Sequence, residues 1–182
     1  MSEFITHDSE ALNGPFIARQ LKISPEDLCY NNTDILLELK SSSIPNSGRG
    51  LFLKESRINE GQLIGYYDGD VTKDERKLSD YSFTLDDDWF VDGLEFPRCY
   101  IAMINDPYGS NFECNCEFRL LTRDEETKKT LPPQKRRIYL VALRDIERGE
   151  ELFASYGEDY WNCESRQKYL KKKTKKTKKS SK

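Results

Sequence analysis

The sequence predicts a mostly β domain with short helices, an α+β fold of several small sheets, and three observations carry that expectation. From Asp34 onward the apolar residues come in short runs, each closed by Gly, Pro, Asn or Ser, the pattern of strands separated by turns. The helical candidates inside this region, Lys73 to Lys77 and Phe96 to Met103, are brief. At 182 residues, with 36% hydrophobic and 12% aromatic content, the chain can bury one domain core and still carry appendages.

The elements follow in chain order. Residues 1–33 read as an N-terminal accessory segment, in which Ser24-Pro25-Glu26-Asp27 has the cap, first-turn proline and early acids of a helix start. Residues 34–161 form the predicted domain. Its strand candidates are Ile35 to Leu39, Gly50 to Leu53, Gln62 to Tyr67, Phe83 to Leu85, Trp89 to Val91 and Arg137 to Leu143. The first two are separated by the turn-rich stretch 41–48. Residues 122–136, with Pro132-Pro133 and many charges, read as an exposed loop. Residues 162–182 run into Lys, Thr and Ser, which bury too little apolar surface to fold, so a disordered tail is expected.

Charge is segregated along the chain. Between Lys168 and Lys182 there are nine lysines and no acid; the other 20 basic residues face 32 acidic ones, so residues 1–167 carry about −12. Such a body attracts cationic substrates, and such a tail attracts acidic surfaces, nucleic acid among them. No apolar run approaches the ~20 residues needed to cross a bilayer. Met1-Ser2-Glu3 opens neither a basic nor an apolar stretch, so a membrane partner and secretion are not expected. Five cysteines, an odd number, point to reduced thiols inside the cell. His7 is the only histidine and falls in the N-terminal segment outside the predicted domain, so neither a Ser-His-Asp triad nor a His-rich metal site is expected, and no metal is expected.

Three separated segments carry the chemistry. Asn46-Ser47-Gly48-Arg49-Gly50-Leu51-Phe52 places a glycine pair at the entry to a strand, read either as a plain β-turn or as backbone brought close to a ligand. Ile101 to Pro107 ends an apolar stretch in Asn105-Asp106-Pro107 and is followed by Cys114-Asn115-Cys116-Glu117-Phe118. Asp145 to Trp161 turns at Gly149 and presents Tyr156 beside Gly157. In order and spacing the three resemble the SET-domain protein-lysine methyltransferases, from Asp34 to Trp161 with a variable insert around residues 72–98. Ser155-Tyr156-Gly157-Glu158-Asp159-Tyr160-Trp161 is similar to the ending of compact members without flanking cysteine-rich modules.

The resemblance implies a β-clip whose C-terminal chain forms a pseudoknot, with S-adenosylmethionine as cofactor. It implies that Gly48, Arg49 and Gly50 are the family's Gly-x-Gly cofactor turn, and that Asn105 and Asp106 stand in its Asn-His-Ser motif. Tyr156 matches the tyrosine beside the transferred methyl group, and Tyr67 a substrate-channel tyrosine. Tyr81 falls near a cofactor position, and Trp161 is read either as a cover for the adenine or as a core residue. Phe118 fills the channel beside small Ala154, which implies di- or trimethylation. These roles suit the chemistry: the nucleophile is a neutral amine, lysine's ordinary pKa is roughly 10.4, and an aromatic channel lowers it by desolvation.

One departure bears on function. Where the family carries Asn-His-Ser, this chain has Asn105-Asp106-Pro107, and proline removes a donor from that turn. The leading expectation is an S-adenosylmethionine-dependent protein-lysine N-methyltransferase acting on a histone or other basic protein tail, in the nucleus or on chromatin. The alternative is a catalytically degenerate SET-like module for chromatin or nucleic-acid association, favoured by Asp106-Pro107 and opposed by Tyr67 and Tyr156. Lys171 to Lys179 reads as a nuclear-localisation or nucleic-acid tract, as a solubilising tail, or as a substrate of the domain itself.

Overall fold

A computed structural model describes residues 29–30, 32–54, 57–94 and 98–162. His7, Cys163, the helix start at Ser24 and the lysine tract lie outside these residues. Twelve strands are described: β1 (Cys29–Tyr30), β2 (Leu37–Ser41), β3 (Arg49–Leu53), β4 (Arg57–Ile58), β5 (Leu63–Tyr67), β6 (Asp70–Thr72), β7 (Ser82–Asp86), β8 (Trp89–Asp92), β9 (Arg98–Cys99), β10 (Cys116–Leu121), β11 (Arg137–Ala142) and β12 (Ile146–Glu147). They form small sheets rather than one large one. Two are three-stranded, in the orders β10-β11-β5 and β6-β8-β7; β2-β3, β4-β12 and β1-β9 are pairs. Of these pairings only β1-β9 is parallel. The mostly β expectation is met.

Local chemistry explains the pieces. The β2-β3 hairpin, with Leu39 opposite Leu51, closes over Ser42–Gly48, where Ser42 N–H donates to Gly48 O at 2.9 Å and Gly48 takes φ +74°. β3 is buried along almost its whole length, and on the edge away from β2 it pairs with the segment 150–152: Leu53 N–H donates to Glu150 O and Leu152 N–H to Leu51 O. A strand whose two faces are both buried reads as an unbroken apolar run, as Gly50-Leu51-Phe52-Leu53 does. The expected helix at Lys73–Lys77 is a 3₁₀ turn, Glu75–Lys77, capped by the Asp74 carboxylate. The one expected at Phe96–Met103 is a strand, Arg98–Cys99, followed by a 3₁₀ turn at Tyr100–Met103, with 96–97 outside the described residues.

Leu51, Leu53, Ile58, Ile64, Leu85, Ile101, Leu140, Ile146 and Leu152 are fully buried. Each contributes about 1.5–3 kcal/mol of burial, and together they clamp the small sheets around a shared core. The terminal segment 150–156 crosses this core. Asn105 forms a parallel bridge with Phe153, Ala154 N–H donates to Asn105 O, and Asn115 and Cys116 N–H both donate to Phe153 O. The loop 105–115 therefore begins and ends on Phe153, clasping the strand-like segment 150–154 against β3. This contact lies where the resemblance expects the pseudoknot.

Candidate functional site

The clasp delivers Tyr156 to a fixed place. Its backbone N–H donates to Asp106 Oδ2 at 2.7 Å and its hydroxyl donates to Ile104 O at 2.5 Å. Tyr67, on β5 and only 5% exposed, donates its hydroxyl to Tyr81 O at 2.6 Å. Gly93 makes room for that phenol, since a Cβ there would lie 2.8 Å from its oxygen. Burial first, then nearby Cys99 and Asp92, pushes the Tyr67 pKa far up, so the phenol keeps its proton. Both hydroxyl hydrogens are thus committed to backbone carbonyls, and both oxygens face further partners as acceptors. Phe83 and Phe118 pack edge-on to Tyr67 at 4.8 and 6.1 Å and lie 4.7 Å from each other, which completes an aromatic wall.

Tyr81 is held in place by a buried acid. Asp92, at the end of β8, accepts from Ser79 N–H (2.6 Å), Ser79 Oγ (2.9 Å), Ser82 Oγ (2.5 Å) and Leu94 N–H (2.8 Å). Burial pushes its pKa up, but the hydrogen bonds from Ser82, Ser79 and Leu94 outweigh that and leave it below the usual carboxylate value. The 79–82 stretch is pinned accordingly, and the Arg98 guanidinium sits 4.1 Å over the Tyr81 ring, a favourable cation–π placement.

A second buried acid, Glu151, organises the glycine turn. Its carboxylate accepts from Ser42 Oγ (2.7 Å), Ser43 N–H (2.6 Å) and Asn105 Nδ2 (3.2 Å), and Asn105 Nδ2 also reaches Arg49 O at 2.9 Å. The Glu151 carboxylate occupies the space where Gly50 lacks a Cβ, which would come 1.9 Å from Oε1. Gly50 is therefore required by packing, whereas Gly48 has open space at the same position.

Two cavities meet on this scaffold. The wider, about 540 Å³, is lined by Tyr67, Phe83, Phe118 and Tyr160, with the exposed carboxylates Asp80 and Asp159 on its border. The narrower, about 280 Å³, is lined by Gly48, Arg49, Arg98, Met103 and Asn105. Tyr81, Ala102, Ile104 and Tyr156 line both. One cavity bears acids, the other bears guanidinium groups, and Tyr156 stands at their junction.

Of the sequence-predicted residues, Gly48, Arg49, Tyr81, Asn105 and Tyr156 line the narrower cavity, and Tyr67 and Phe118 the wider. Gly50, Asp106 and Trp161 line neither. Asp106 Oδ2 accepts the Trp161 indole N–H at 2.8 Å, and Trp161 stacks on Tyr108 at 5.1 Å, half-buried rather than in the core. Sequence reasoning did not single out Phe83, Arg98, Asp159 or Tyr160. The density of aromatics after Tyr156 was a signal for Tyr160; nothing local marked Arg98. Burial raises the thiol pKa values of Cys99, Cys114 and Cys116, and among the described residues no group of three His, Cys, Asp or Glu is placed to hold a metal ion. No helix among them is long and apolar enough to cross a membrane.

Residues 48–157 match the family model described as SET domain. Over 58 residues the chain is 43% identical to histone-lysine N-methyltransferase set9 of Aspergillus terreus, a stretch covering 30% of this chain and 8% of that relative. Among solved structures, KRYPTONITE in complex with mCHG DNA and SAH is similar with a TM-score of 0.57 and 20% identity, over 72% of this chain and 26% of that one. KRYPTONITE in complex with mCHH DNA, H3(1-15) peptide and SAH gives 0.51 and 20%, over 68% and 23%. At that identity the likeness is one of fold. The chain spans under a tenth of the curated relative's length and about a quarter of KRYPTONITE's.

Proposed function

The chain belongs to the SET domain family, and from that premise we propose that it is an S-adenosylmethionine-dependent protein-lysine N-methyltransferase acting on a basic protein tail such as a histone's. The supporting observation is the pair of cavities with opposite charged borders that share Tyr156. Its relatives agree with it: set9 is a histone-lysine N-methyltransferase, and KRYPTONITE has been solved with SAH and with a histone H3 peptide. A histone substrate places the reaction on chromatin, and the lysines of 168–182 are the proposed contact to nucleic acid.

The narrower cavity fits the cofactor by its donor set. Arg49 and Arg98 would meet a carboxylate end, the open backbone at Gly48 allows close approach, and Asn105 and Tyr81 complete the border. When bound, S-adenosylmethionine supplies an electrophilic methyl group on a sulfonium. The chain's own residues prepare the other reactant. Asp80 and Asp159 attract a cationic side chain to the wider cavity. Tyr67, Phe83 and Phe118 then replace its water, which disfavours the ammonium form, so that the side chain gives its proton to solvent and enters as the neutral amine with its lone pair free. Because the Tyr67 and Tyr156 oxygens have their own hydrogens committed, they accept from the amine and orient it.

The test is a titration with S-adenosylmethionine followed by transfer of label to mixed histones. Saturable binding is expected, weakened roughly tenfold by Asn105→Ala, with transfer reduced about a hundredfold or more by Tyr156→Phe. A folded wild-type protein that binds no cofactor would overturn the reading in favour of a non-catalytic association module.

A further inference from the structure

We propose that Asp106 is a positioning residue that ties the cofactor side of the site to its lysine side through Trp161; the assignment of sides rests on the function proposed above. One oxygen, Oδ2, accepts both the Tyr156 backbone N–H (2.7 Å) and the Trp161 indole N–H (2.8 Å), while Oδ1 accepts Tyr108 N–H at 2.8 Å. Asp106 thereby joins three pieces of chain: its own turn with Tyr108, the segment that carries Tyr156, and the helix that carries Trp161. Asp106 itself follows Asn105, which lines the narrower cavity. Tyr156 lines both cavities, and Trp161 sits on the short helix Glu158–Asn162, whose Asp159 and Tyr160 line the wider one.

A helix of five residues does not sustain itself, so its place depends on what it is fastened to. The fastening includes the indole bond, the Trp161 stack on Tyr108 at 5.1 Å, and Tyr160 packed edge-on to Tyr156 at 4.7 Å and to Trp161 at 5.0 Å. Loss of the carboxylate frees the helix and with it one border of the wider cavity, while Ser47, Gly48 and Arg49 stay under Glu151. Asparagine cannot substitute. With its oxygen toward Tyr156 and Trp161 its amide points donors at Tyr108 N–H, and turned the other way it confronts two N–H groups at once.

Two variants test this, Asp106→Asn and Trp161→Phe, the second keeping a ring on Tyr108 while deleting the donor. The protein has two tryptophans, so ¹⁵N spectra carry two indole signals, and the one lost in Trp161→Phe identifies Trp161. In Asp106→Asn that signal moves, the Trp89 signal stays, and the amides of 158–161 exchange faster. The KM for a histone H3 (1–15) peptide rises roughly tenfold in both variants, while in Trp161→Phe, which keeps the Asp106 bond to the Tyr156 N–H, cofactor affinity stays within about twofold. An unmoved indole signal in Asp106→Asn, or peptide and cofactor affinities that fall together in Trp161→Phe, overturns the proposal. A wild-type protein that transfers no methyl group defeats the enzymatic reading instead, and the indole and helix signals then decide on the strut by themselves.

Discussion

Gly48 and Gly50 stand two residues apart in one turn and answer to different constraints. Gly48 needs its positive φ but has nothing within 4 Å of where a Cβ would project, whereas Gly50 is where the Glu151 carboxylate sits. Gly50→Ala therefore expels a buried acid and strips Ser42, Ser43 and Asn105 of their acceptor. It is expected to cost about 3 kcal/mol in urea unfolding. Gly48→Ala is expected to cost only about 1 kcal/mol of backbone strain. If Gly48→Ala proves the more destabilising of the two, the packing role given to Gly50 is wrong. The glycine pattern was visible in the sequence, but the division of labour was not, because Glu151 lies about a hundred residues downstream.

At the level of elements, one buried side-chain amide reinforces the backbone bonds of the clasp on residues 150–156. Asn115, 2% exposed, accepts Phe153 N–H at 2.8 Å and donates to Glu151 O at 2.8 Å. Asn115→Ala leaves both groups buried without that partner, and an expected loss of about 3 kcal/mol follows, read from denaturant midpoints. A loss under 1 kcal/mol would mean the clasp is held elsewhere. The strands with apolar runs, such as β3, β5 and β11, were legible because burial on one or both faces writes itself into composition. β10 was not legible as a strand: Cys116–Leu121 is mostly part-exposed and carries Glu117 and Arg119 among its apolar residues. The buried roles of Asp92, Asn115 and Glu151 were hidden for a different reason. A buried polar residue looks like a surface one until its partners are known, and most of theirs are remote in sequence.

The molecule as a whole should respond to pH from both ends. Asp92 has a folded pKa below the ordinary 3.8, so its contribution is present above that value and is lost as pH falls through the folded one. Cys99, Cys116 and Tyr67 are raised above 9.0, 9.0 and 10.0. Their contribution is whole below those values and is lost as pH climbs past them. Stability is expected to be flat between about pH 5 and 8 and to decline on either side. Asp92→Asn should be about 2 kcal/mol less stable than wild type on the plateau, with the gap closing below about pH 4. A gap that persists unchanged to pH 3 would show that the carboxylate's charge is not what holds Ser79 and Ser82.

The clasp also governs how the chain reaches this state. Ser42 and Glu151 are 109 residues apart when they meet, and Tyr156 and Ile104 are 52 apart. Contacts of such separation demand closure of long loops before they return any energy, and chains rich in them fold slowly. Tyr156 lies on the clasped segment, so the junction between the two cavities depends on these long-range closures and not on any local sheet alone.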